Sequence, residues 1–145
     1  MVAVEISLVR NRLQQAMTAA RDRSKQRREH TAQAEQAYET FLTQVATPVT
    51  KLVANALKSE AYAFTVSTPR GGLRLASDHG RDDFIEFALD TAVEPSQVVG
   101  RISLTRGSRT LTDERPLKPG ASPDAVSEDD VLAFLLDALG PWLER

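Results

Sequence analysis

A chain of 145 residues with a hydrophobic fraction of 41% can bury one modest core and leave a segment outside it. Its net charge of −2 gives no global argument for nucleic acid or an anionic membrane, and the lack of cysteine excludes disulfides, thiolate nucleophiles and Cys-based metal sites. No signal-peptide pattern opens the chain and no run approaches the roughly 20 apolar residues that cross a bilayer, so a cytoplasmic protein without membrane contact is expected.

The fold class expected is α+β, starting with a long N-terminal helix over residues 1–46. Between Val4 and Ala46 there is no Gly or Pro, and Ala, Gln, Glu, Arg and Leu dominate. Apolar residues recur at Ile6, Val9, Leu13, Ala16, Met17 and Ala20, then at Ala34, Ala37, Tyr38, Phe41, Leu42 and Val45. Spacings of three and four put each set on one helix face. The stretch between them is charged. A heptad register through Ile6, Leu13 and Ala20 next reaches Arg27, and the one through Val9 and Ala16 reaches Arg23 and His30. With no Gly or Pro to turn the chain near 21–30, one long helix with a solvated waist is favoured over a hairpin.

The body is expected over residues 47–145. Thr47-Pro48 reads as a cap and first helical residue of a short second helix to about Lys58, or as a kink ending the first. From Ala61 to Glu114 the period becomes two, giving an antiparallel meander of four to five strands. Its inward face is expected from Tyr62, Phe64, Val66, Leu73, Leu75, Ile85, Phe87, Leu89, Ile102 and Leu104. Pro69–Gly72, Asp78–Asp82 and Arg106–Arg109 are the hairpin turns, and the fifth strand is a weak edge. A sheet with one apolar face wants helices on that face. The short second helix and the C-terminal helix over 127–145 are the natural cover. Ser127 caps the latter, acids fill its first turn, and Leu132, Leu135, Leu136 and Leu139 form the expected buried stripe. Gly140-Pro141 is expected to bend or end it before Trp142.

No convergent set of acid, base and nucleophile stands out, and neither an enzymatic activity nor a cofactor is expected. Asp78-His79-Gly80-Arg81-Asp82-Asp83 is the one place where His and carboxylates cluster, and a hairpin turn explains each residue there. Arg70-Gly71-Gly72 joins two strands rather than opening a helix, so it is a turn and not a phosphate loop.

Two features of the long helix point to function. Ile6, Val9, Leu13 and Met17 make an apolar row on a helix too long for its own domain to cover, which suggests a protein partner or a homo-oligomer. Arg21, Arg23, Lys25, Arg27 and Arg28, within the Arg-rich segment 10–28, could instead follow a phosphate backbone. Aromatic residues to stack on bases are absent there, and Asp22 and Glu29 interrupt the charge. The reading that follows is an interaction or assembly protein, a bacterial accessory subunit on the strength of its Arg-over-Lys bias, with nucleic-acid binding or a regulatory role as the alternative.

Overall fold

Helix propensity is unbroken from Val4, and α1 accordingly spans Ile6–Phe41 in the computed structural model, which describes residues 4–144. It continues through Arg21–His30 without a turn, at about 54 Å for its length. The parts of the expected end helices that fall on residues 1–3 and 145 lie outside the described residues. The chain divides into a unit ending at Gln33 and a unit beginning at Ala34. The first is helix alone.

The second unit opens with the last turns of α1. Over Leu42–Ala46 the winding widens to a π-helix, and α2 follows at Thr47–Ser59 without a break. The expected capping role of Thr47 is therefore corrected, although the second helix does begin there. Ala46 holds the cap position with helical dihedrals and no capping hydrogen bond, and the Thr47 N–H donates back to the Leu42 carbonyl. Pro48 explains the wide turn. Its ring would strike the carbonyl four residues back and it brings no N–H, so the helix loosens by one residue instead of ending. At its far end α2 closes in a Schellman arrangement, with Tyr62 N–H on the Leu57 carbonyl at 2.8 Å and Ala61 N–H on that of Lys58 at 3.1 Å. Ala61 has φ 66°, at a cost of roughly 1–2 kcal/mol that a glycine would avoid.

Five strands follow: β1 Phe64–Ser67, β2 Leu73–Ser77, β3 Phe84–Asp90, β4 Gln97–Arg106 and β5 Arg109–Pro116. They pair antiparallel in sequence order. The tightest hairpin pairs Arg106 with Arg109 around Gly107, whose φ of 62° is the positive value a two-residue loop needs at its first position. β5 is a full edge strand, longer than the sequence suggests, with most side chains exposed. Leu73, Leu75, Ile85, Phe87, Ile102 and Leu104 are buried as expected, while Tyr62 and Phe64 are only half-buried. The opposite face is not wholly wet. Val99 and Ser103 are buried there, Val99 standing in register between Ala88 and Pro116.

Helix α3, Glu128–Leu143, begins with a capping box in which Ser127 Oγ accepts from Asp130 N–H and the Asp130 carboxylate accepts from Ser127 N–H at 2.9 Å. The Ser127 N–H, with the Ser127 hydroxyl and the nearby Lys118 ammonium adding to it, holds the Asp130 carboxyl below its ordinary range. The helix runs past Gly140-Pro141, against expectation. Pro141 removes one hydrogen bond close to the helix end, and Trp142 beyond it is buried against the edge of Phe64 at 5.9 Å.

The buried stripe of α3 is also shifted from the expected one. Val131, Phe134, Leu135, Ala138, Leu139 and Trp142 are buried, whereas Leu132 is 39% and Leu136 53% exposed. Phe134 decides the rotation. Its ring lies over Gly100 of β4, where any side chain would collide with it, and meets Phe87 edge-on at 6.0 Å. Turning Leu132 and Leu136 inward would lift Phe134 out of that notch. Urea unfolding with matched slopes tests this division. Leu135→Ala and Leu139→Ala should each cost about 2–5 kcal/mol, Ser127→Ala about 1 kcal/mol, and Leu132→Ala or Leu136→Ala less than about 1 kcal/mol.

Candidate interaction surfaces

In the first unit the predicted row is open to solvent. Ile6 is 79%, Val9 49%, Leu13 57% and Met17 44% exposed, on a continuous helix that carries them at spacings of three and four. Arg21, Arg23, Lys25, Arg27 and Arg28 are exposed as well, and none joins an ion pair among the described residues. Helical spacing sorts them into two rows. Arg21, Lys25 and Arg28 share one side, and Arg23 with Arg27 share the other.

Two of the three carboxylates in the Asp78–Asp83 segment are occupied by the fold. Asp83 is buried, and its Oδ1 accepts the Thr105 N–H at 2.6 Å while its own N–H reaches the Gly80 carbonyl. Asp78 Oδ1 accepts the Thr65 hydroxyl at 2.7 Å. His79 is exposed, and among the described residues no three His, Asp or Glu side chains converge as a metal site would need. A carboxylate that satisfies a backbone N–H on a neighbouring strand end fixes the turn against β4, which is a structural task.

On the outer face of the sheet the charges form a ladder. Arg74 pairs with Glu86 at 2.9 Å and stacks over Phe84 at 4.0 Å, Glu86 lies in register with Arg101, and Arg101 pairs with Glu114 at 3.0 Å. Opposite charges on adjacent strands support pairing by fractions of a kcal/mol each, about 0.2–1. Beyond the ladder, the buried hydroxyl of the half-buried Tyr38 of α1 has no hydrogen-bond partner among the described residues. Burial raises its pKa, with the Glu86 carboxylate adding to the shift and Arg101 offsetting part of it.

The second unit carries one surface that sequence reasoning missed. Between α2 and α3 lies an apolar groove of about 550 Å³, floored by Val53, Leu57 and Leu139 and walled by Leu52, Leu132 and Leu136. Leu52 is 69% exposed. The charged residues at its rim are all acids: Glu60 from the end of α2, and Glu128 and Asp129 from the start of α3. The Tyr62 hydroxyl donates to the Leu143 carbonyl at 3.5 Å, so the end of α2 meets the end of α3. Glu60 therefore stands at one end of the groove and Glu128 with Asp129 at the other. No family model, curated protein or solved structure matches this chain.

A signal for the groove was present but weak. The apolar positions of α3 are wider than one stripe, and α2 adds Leu52 outside its own buried set of Val49, Val53 and Leu57. Neither surplus reveals by itself that the two helices lie side by side. Among the described residues no helix is long and apolar enough to cross a membrane.

Proposed function

We propose that this protein works by binding another protein chain through α1, with Ile6, Val9, Leu13 and Met17 as the contact row. The observation that carries the reading is the exposure of all four on one helix face. Single exposed leucines are ordinary, but an aligned row on a long helix is what partner helices bury. Burying four such side chains is worth roughly 1.5–3 kcal/mol each before the costs of association. A catalytic reading has less support, since two of the turn's carboxylates, Asp83 and Asp78, are taken up by Thr105 and Thr65.

A photo-crosslinking residue at Leu13 in the native host tests the contact row. Discrete adducts are expected from Leu13, and none from the same probe at Asn11 on the opposite side of the helix. Equal labelling at both positions, or none at Leu13, would overturn the reading.

The alternative is nucleic-acid binding by the waist, favoured by five exposed cations that no acid pairs among the described residues. It requires affinity that falls steeply with salt, with the slope reduced by about 1 for each phosphate contact removed on substituting Arg21, Lys25 and Arg28 with Ala. Absence of binding to DNA and RNA at low salt, where the electrostatic attraction is strongest, would eliminate it.

A further inference from the structure

The geometry points to a second copy of this chain as the partner, with the apolar row of one α1 seated in the α2–α3 groove of the other. The inference rests on the reading of α1 as a contact element, and it names what that element meets. Each surface lacks what the other offers. The row Ile6, Val9, Leu13 and Met17 is an exposed apolar ridge, and the groove is an exposed apolar trough. Their lengths agree. Ile6 to Met17 and Leu132 to Leu143 are both eleven-residue steps, about 16–17 Å of helix each.

Charge sets the direction. Arg21 follows Met17 by four residues, and Glu128 precedes Leu132 by four. Laying α1 antiparallel to α3 puts Met17 at Leu132, Ile6 at Leu143, and Arg21 beside Glu128 and Asp129. The parallel orientation would carry Arg21 past Leu143 toward Glu60, the one acid lining that end, and would bring Glu5 to the end that holds Glu128 and Asp129.

Pairing of two α1 helices with each other is the competing arrangement, and the sequence of the helix disfavours it. The heptad seam that begins at Ile6 meets Arg23, Arg27 and His30 after little more than two heptads. A parallel pair would stack those cations on their own copies. The groove presents acids instead.

Sedimentation of the full-length chain over a range of concentration is the test. Self-association is expected, weakened at least about tenfold by Met17→Glu in the row and equally by Leu136→Glu in the groove. Leu52→Glu, at a more exposed position, serves as a second groove variant, and urea midpoints establish that each variant is folded. Arg21→Glu should weaken association, and adding Glu128→Lys should restore most of it. A wild-type chain that stays monomeric overturns the proposal, yet leaves α1 as a contact element for a different protein if Leu13 still cross-links. Association sensitive to Met17→Glu but indifferent to both groove variants overturns it in favour of α1–α1 pairing. Association indifferent to all of them overturns the inference and argues against the α1 reading.

Discussion

The seating of Phe134 over Gly100 is the contact on which the body of this protein depends. A glycine in the middle of β4 weakens the strand, and the structure uses the vacated space for an aromatic ring from α3. That ring fixes how α3 is rotated about its axis. With Phe134 inward, Val131, Leu135, Ala138, Leu139 and Trp142 follow it into the core by helical spacing. Leu132, Leu136 and Leu143 are then left along the flank that faces α2. The groove is thus a consequence of core packing, since an α3 turned to bury those leucines would have to withdraw Phe134 from its notch.

The sequence allowed the architecture to be read because most local signals agree with the fold. Alternation through Leu73, Leu75, Ile85 and Phe87 marks a one-faced sheet, Gly107 marks a hairpin, and Ser127 with Asp130 marks a helix start. The errors have physical causes. Along α3 two apolar stripes overlap, sharing Leu135 and Leu139, and periodicity alone cannot choose between Phe134 and Leu136 as the next inward residue. The choice is made by Gly100, more than thirty residues away in sequence. At Pro48 a residue that normally starts or breaks a helix is absorbed by a π-turn, because the buried Phe41, Leu42 and Ala46 on one side and Val49 and Val53 on the other hold both segments to the same core. Ala61 occupies a position where glycine is usual, so no glycine flagged the end of α2.

The proposed contact surfaces divide in the same way. The row on α1 was legible because it lies within one helix, where spacing is enough to predict a shared face. The groove was not, because Leu52 and Leu136 are brought together only by tertiary packing of two helices separated by the whole sheet. The charged waist explains why the row stops where it does. Beyond Ala20 the seam positions turn cationic, so the apolar surface open to a partner is confined to the first turns of α1 and is about as long as the trough in the body. Exposed apolar surface on both units, basic near one and acidic around the other, is what a self-recognising chain needs.

The absence of cysteine makes that claim directly accessible to disulfide trapping. One preparation carries Met17→Cys and a second carries Leu132→Cys, and the two are mixed under mild oxidation. If α1 of one copy lies antiparallel to α3 of another, the mixed disulfide should form faster than the same Met17→Cys chain with Leu143→Cys, and faster than either homodimer. Preferential trapping of Met17→Cys with Leu143→Cys would reverse the orientation. Disulfides only between two Met17→Cys chains would contradict the account, placing α1 against α1 and leaving the groove empty of this partner.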